Sequence, residues 1–457
     1  MSVLKPDFFW GNSTSSMQTE GAYNEGGKGQ SVYDVREASE NTSDWKVAID
    51  EYHRYPEDIA LMKDLGMNFY RFQISWSRVQ PKGEGEFNPE GIKFYHDLID
   101  ELLANGIQPM ICLYHFDMPL YQAENYNGFI NKTVVEHFAA YGKKMIDEYG
   151  DQVKYWITFN EQNLYGYGEA FKCSGYLKGD QTVRDLYQIQ HNVALAHALV
   201  TNYLHENYPD LLIGGMEAFQ EVYPATPNPR DIEAVRKCKE FNDYNLLRIF
   251  VEGKYSDEVV AFMKEQHLSD ILAPEDLAEI AKTRSDFISF SYYATTCIDN
   301  SKIPLGTIPN DFAVAGAAHN PYLETNEWNW QIDPTGFYGV LMDLYSRTHL
   351  PIFPIENGVG VREVWDGKNE INDSYRIEYH RSHLEALQNA VRDGANVIGY
   401  LGWGLIDIPS SQGNVDKRYG VVYVNRTNHD LKDLARVPKA SYHWLKKVIK
   451  SNGAELC

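Results

Sequence analysis

Cysteine is scarce and unpatterned in this sequence. Cys112, Cys173, Cys238, Cys297 and Cys457 are scattered over 457 residues with no CxxC pair, so they read as reduced thiols and not as a disulfide framework. No run approaches the roughly 18 consecutive apolar residues of a transmembrane helix. The opening stretch MSVLKPDFFWGNSTSS lacks the charged-then-apolar pattern of a secretory leader, so the expected compartment is the cytoplasm. Positive charge is also short: 42 Lys and Arg stand against 64 Asp and Glu, a formal net charge of −22. Such a chain has no general attraction for nucleic acid or an anionic membrane, and any anionic ligand requires a local exception to the global charge. Low-complexity runs, blocks of like charge and Gly/Ser or Pro-rich linkers are missing, so nothing marks a domain boundary and one domain over residues 1–457 is expected. Nothing in the sequence bears on oligomeric state.

What is present is the composition of a folded globular protein: 43% hydrophobic, 23% charged and 13% aromatic, with 32 Tyr and 9 Trp. Short apolar or β-branched runs recur as eight candidate strands: 8–10, 68–74, 108–114, 154–159, 212–217, 286–292, 351–355 and 397–403. Between them lie stretches with apolar residues at three- and four-residue spacing, at 56–65, 89–104, 132–149, 186–208, 231–251, 336–347 and 374–393, as core-facing helices require. Eight strands alternating with helices point to an α/β fold, a single-domain (β/α)8 TIM barrel with long βα loops. A doubly wound sheet would need a glycine fingerprint after its first strand, and none is there.

In such a barrel the chemistry sits at the C-terminal ends of the strands. Polar and aromatic residues collect there: Gln18, Arg71 in YRFQISWSR, His115 in CLYHFD, Asn160-Glu161 in WITFNEQN, Tyr292-Tyr293 in FISFSYY, Glu356-Asn357 in FPIENG and Trp403 in GYLGWG. Glu161 and Glu356 end strands four and seven and would face each other across the barrel mouth. A carboxyl pair in which one member stays protonated and the other ionised is the apparatus of glycoside hydrolysis.

The segments FFWGNSTSSMQTEGAYNEGG, YRFQISWSR, LYHFDMP, TFNE, IENG and KRYG, in this order and spacing, resemble glycoside hydrolase family 1, the retaining β-glycosidases, from about Phe8 to Trp444. The resemblance implies roles residue by residue. Glu161 matches the general acid/base, Glu356 the nucleophile and Asn160 the partner of the sugar 2-hydroxyl. Gln18, His115 and Trp403 match the residues that hold the sugar ring. Tyr293 and Arg71 match groups that contact the nucleophile, although Arg71 would serve equally as a buried structural ion pair. Trp330 matches a position that often stacks the aglycone. No cofactor and no metal are implied.

The local exception to the acidic charge follows Trp403. Ordinary β-glucosidases of the family carry a Glu and a Trp at the third and fourth positions after the Asp of this loop, and here those positions, counted from Asp407, are Ser410 and Ser411. A carboxylate there would repel a 6-phosphate, whereas a hydroxyl can donate to it. Ser410, Lys417 and Tyr419 together resemble the phosphate clamp of the 6-phospho-β-glycosidases. The small Ser411, where galactose-specific members typically carry Trp, favours 6-phosphoglucosides or a relaxed 4-hydroxyl. The expected enzyme is a retaining 6-phospho-β-glucosidase acting on a phosphorylated β-glycoside. The alternatives are a 6-phospho-β-galactosidase or dual enzyme, an unphosphorylated β-glucosidase, and a non-catalytic carbohydrate-binding protein. Two further departures are Phe116, where glucosidases usually have Trp, and Ser291, where many have Asn.

Three features are set aside. The GGKG run at residues 26–29 lacks the remaining spacing of a P-loop and reads as a flexible surface turn. His380 and His383, three apart on a helix, and His115, two before Asp117, complete no three-ligand metal set.

Overall fold

The computed structural model describes residues 2–456, so Cys457 lies outside the described residues. Each strand-forming run becomes a parallel strand: β1 (Phe9–Ser13), β2 (Phe69–Gln73), β3 (Gln108–Tyr114), β4 (Tyr155–Phe159), β5 (Leu212–Ala218), β6 (Ile288–Tyr292), β7 (Ile352–Asn357) and β8 (Gly399–Gly402). They pair in the order β7-β6-β5-β4-β3-β2-β1-β8. The two edges then meet, because Ile352 bridges Val397, Ile398 N–H donates to the Ile352 carbonyl (3.1 Å) and Trp403 N–H donates to the Asn357 carbonyl (2.9 Å). The chain is a (β/α)8 barrel, as its alternation predicts.

An outer helix follows each strand: α1 (Glu51–Leu65), α2 (Pro89–Ala104), α3 (Lys132–Tyr149), α4 (Val183–Asn207), α5 (Pro229–Lys239), α6 (Pro334–Thr348), α7 (Ser374–Arg392) and α8 (Ala440–Lys450). Their starts are written locally. Asn88 and Asn131 cap α2 and α3, and Thr182 with Asp185 forms a capping box on α4. Several boundaries shift by a few residues from the sequence reading, and three shifts reshape an element. First, β1 lies at 9–13 and not 8–10. Second, α1 starts at Glu51 and not at Pro56. Proline favours a first helical position, but the Tyr52 N–H bond to the Glu20 carbonyl (3.1 Å) and the Tyr70 hydroxyl on Glu51 (2.8 Å) secure an earlier turn. Third, the helix expected over 231–251 is α5 continued through a π-helical turn, Glu240–Tyr244, into Asn245–Glu252.

The barrel interior is layered. Its N-terminal end is plugged by the rings of Phe9, Phe69, Tyr155, Phe287 and Phe353, with centroids 4.5 to 6.5 Å apart. Met110, Cys112, Ile157, Met216, Ile355 and Leu401 fill the middle. The C-terminal end is polar, and long loops surround it. One carries a three-stranded sheet of Val222–Pro224, Thr296–Ile298 and Ala317–Ala318. The GGKG segment is a packed turn and not a flexible one. Lys28 pairs with Asp34, Gly29 N–H donates to the Ser77 carbonyl (2.8 Å), and a Cβ on Gly29 would lie 2.0 Å from the Pro81 carbonyl oxygen. Among the described residues no helix is long and apolar enough to cross a membrane.

Candidate active site

The sequence places a carboxylate directly after β4 and another near the end of β7, and the barrel brings both into one cavity of about 750 Å³ at its C-terminal face. Gln18, His115, Tyr293, Trp330, Trp403, Ser411 and Tyr419 share its wall with Glu161 and Glu356. Asn160 and Arg71 lie buried behind that wall, while Ser410 and Lys417 stand beside it.

Glu356 is built into the strand and fixed from two sides. The Arg71 guanidinium donates to one carboxylate oxygen (2.8 Å) and the Tyr293 hydroxyl to the other (2.8 Å). Both bonds favour the ionised form. Burial opposes them and leaves the Glu356 pKa above its ordinary value. Arg71, mid-strand in β2, also donates to the Asn160 side-chain amide oxygen, so one guanidinium joins the ends of β4 and β7. Asn160 Nδ2 and His115 Nδ1 are buried and have no hydrogen-bond partner among the described residues. Burial and the nearby Arg71 charge hold the His115 imidazole well below its usual pKa and hence neutral.

Glu161 has a different support. Its backbone is left-handed (φ 42°, ψ 57°), a conformation that is strained for a residue with a Cβ. Its carboxyl accepts one side-chain bond, from the Ser291 hydroxyl (2.5 Å). Burial first, and the Glu356 charge second, push its pKa to about 8, with Ser291 and Arg71 pulling the other way. The site thus holds one carboxyl poised to keep its proton near neutral pH and another whose partners favour its loss.

Trp403 closes the floor with its ring centroid 5.7 Å from that of His115. Gln18 is committed to the protein on both ends of its amide, accepting from Ser15 (2.5 Å) and donating to the Pro409 carbonyl (2.7 Å). Phe116 lines the cavity in a left-handed conformation (φ 71°). Of the expected phosphate set, Tyr419 and the adjacent Ser411 reach the cavity. The Ser410 hydroxyl accepts the Asn414 N–H (3.2 Å), closing its own turn. The Lys417 amine lies 3.5 Å from the Trp330 ring centroid, 5.2 Å from that of Trp328 and 5.4 Å from that of Tyr419. Among the described residues it has no carboxylate partner within 4 Å, whereas the nearby buried cations Arg376 and Lys439 each have two. Desolvation draws its pKa down to about 8.

Sequence reasoning passed over the role of Ser291, noting it only as a departure from a common Asn. It also gave no function to Asn163, although NEQN displays it two residues after Glu161. His380 and His383 each bond locally through Nδ1, to the Tyr400 hydroxyl (2.8 Å) and the Tyr379 carbonyl (2.7 Å), while His383 Nε2 is buried with no hydrogen-bond partner among the described residues. Among the described residues no three His, Cys, Asp or Glu side chains gather as a metal site would require.

Comparison with known proteins identifies the family. The sequence profile of glycosyl hydrolase family 1 matches residues 2–454. An aryl-phospho-beta-D-glucosidase of Bacillus subtilis (strain 168), BglC, is 37% identical over 471 residues, covering 98% of each chain. A 6-phospho-beta-glucosidase of Clostridium longisporum is 38% identical over 475 residues, again covering 98% of each. Among solved structures, a family 1 β-glucosidase from Thermotoga maritima superposes with a TM-score of 0.86 at 30% identity, covering 99% of each chain.

Proposed function

The chain belongs to glycosyl hydrolase family 1, and from that premise we propose that it is a retaining 6-phospho-β-glucosidase whose catalytic domain is residues 1–457. Glu356 attacks the anomeric carbon while Glu161 gives its proton to the departing glycosidic oxygen, so the aglycone leaves as an alcohol or phenol and a glycosyl ester forms on Glu356. Glu161, now ionised, takes a proton from water as that water attacks the anomeric carbon. The ester bond to Glu356 breaks, and 6-phosphoglucose leaves with its β configuration retained. Tyr293 and Arg71 support the ionised nucleophile. The unpartnered Asn160 Nδ2 and His115 Nδ1 are suited to sugar hydroxyls, and the Trp403 indole to the ring's apolar face.

The observation that carries the phosphate reading is Lys417. It is a buried ammonium in an acidic chain, beside a sugar-sized cavity, with aromatic rings as its neighbours and no carboxylate within 4 Å among the described residues. A 6-phosphate supplies the missing counter-charge, with Tyr419 and Ser410 as further donors. The small Ser411 on the cavity wall leaves the 4-hydroxyl unread, which favours some activity on the 6-phosphogalactoside as well. The substrate's charged phosphate keeps it from crossing membranes unaided, so the enzyme acts in the cytoplasm where phosphorylated sugars are formed.

The test is kcat/KM for p-nitrophenyl β-glucoside with and without a 6-phosphate, in wild type and Lys417→Met. Wild type is expected to prefer the phosphorylated substrate by about a hundredfold or more, nearly 3 kcal/mol of differential transition-state binding. Lys417→Met is expected to erase most of that preference. Faster turnover without the phosphate would overturn the phosphate reading and leave the two-carboxylate mechanism standing.

A further inference from the structure

Pairing between β4 and β5 stops at Ile157 and Gly214, while β5 continues along β6 to Ala218 opposite Ser291. Above that point β5 has no strand on its β4 side. The Asn163 side chain takes the strand's place: its amide oxygen accepts the Ala218 N–H (2.7 Å) and its Nδ2 donates to the Ala218 carbonyl (2.9 Å). The same Nδ2 donates to Asp243 (3.1 Å), which the π-helical turn after α5 presents. Asn163 and Asp243 are both buried. The bonds close a circuit around Glu161. Asn163 lies two residues after it and is anchored to Ala218. Ala218 sits in register with Ser291, and Ser291 donates to the Glu161 carboxyl (2.5 Å).

We propose that Asp243, acting through Asn163, is a positioning residue for the acid/base, fixing both the strained turn that carries Glu161 and the Ser291 hydroxyl that aims it. This rests on the reading of Glu161 as acid/base given above. The physical reason is strain. A left-handed Glu is strained and persists only where its surroundings over-determine it. An asparagine amide can bond the N–H and the carbonyl of one residue only in one orientation, and the Asp243 oxygen selects that orientation by accepting from Nδ2. A π-helical turn in an outer helix is itself unusual, and here it delivers one side chain to that amide. The charged groups around Asp243 are Glu217 on β5, Lys239 on α5, Glu221 in the loop after β5 and Asp343 on α6. Glu217 is fully buried and neither of its oxygens has a hydrogen-bond partner among the described residues.

The test compares two 6-phosphoglucosides, one with a poor leaving group (an alkyl alcohol) and one with an activated one (2,4-dinitrophenol). Asp243→Ala is expected to lower kcat/KM for the alkyl glycoside about tenfold or more, to leave the dinitrophenyl glycoside within about threefold, and to move the basic limb of the pH profile. Asp243→Asn keeps an oxygen for Asn163 and is expected to return both rates to within about threefold of wild type. Asn163→Asp, which cannot donate to Asp243, reports on the same link if the alanine variant does not fold, and is expected to show the same split. Equal loss on both substrates with an unmoved basic limb, or the same split in Asp243→Asn as in Asp243→Ala, would overturn the proposal. Glu161→Gln is the control: if it shows no leaving-group split, the acid/base assignment fails. If it splits and the Asp243 variants do not, only the positioning role fails.

Discussion

The ends of β4 and β7 each present a glutamate to the same cavity, and the two ends are built in opposite ways. Glu356 lies within its strand and meets an arginine and a tyrosine, one on each oxygen. Glu161 lies just past its strand, on a left-handed turn, and meets a single serine hydroxyl. The first environment is rich in donors and favours a carboxylate; the second is poor in donors and favours a carboxylic acid. Residue type does not distinguish the two roles. The number and charge of the donors do, together with the Glu356 charge that faces Glu161.

Breaking the β7 end has the largest expected effect. Glu356→Ala removes the proposed nucleophile and is expected to cost roughly 10⁶-fold in kcat, read from steady-state rates with any glycoside. Loss of less than about a hundredfold would place the nucleophile elsewhere.

Weakening that end without destroying it gives the next effect. Tyr293→Phe deletes one donor to a charged group, a bond worth about 1.5–3 kcal/mol, so kcat/KM is expected to fall about 10- to 100-fold. The acid limb should also move. Tyr293 lowers the Glu356 pKa, so removing it raises that pKa, and the ionised nucleophile is lost at a higher pH than in wild type.

The smallest effect sharpens the β4 end. Wild-type kcat/KM is expected to fall as pH rises through about 8, where Glu161 gives up its proton. Ser291→Ala removes a bond that favours the carboxylate, so the basic limb should shift upward while the rate at neutral pH changes by less than about tenfold. A downward shift would show that Ser291 does not stabilise the charged form.

Much of this was legible in the chain. The spacing of β-branched runs marks all eight strands, because strand period is local chemistry, whereas the caps Asn88, Asn131 and Thr182 were not read from the sequence. Both glutamates were legible because they sit beside strand ends in short motifs. Lys417 was legible as a cation, but its seat against Trp330, some 87 positions away, was not. Ser291 was visible only as a substitution, since its partner is 130 residues distant. Asp243 had no signal at all: nothing in a helical run announces a π-helical turn or the asparagine it meets.

The sequence by itself determined the barrel, the number of its strands and the identity of its two carboxyl groups, because each depends on periodicity and on neighbours within a few positions. Tertiary structure alone decided which carboxyl is held by two donors and which by one, that Lys417 rests against Trp330 and that Asn163, beside the turn after β4, meets Asp243. Those properties depend on burial and on the distance between charges. A closed barrel sets both, by bringing residues from β2, β4, β6 and β7 within hydrogen-bond reach of one another.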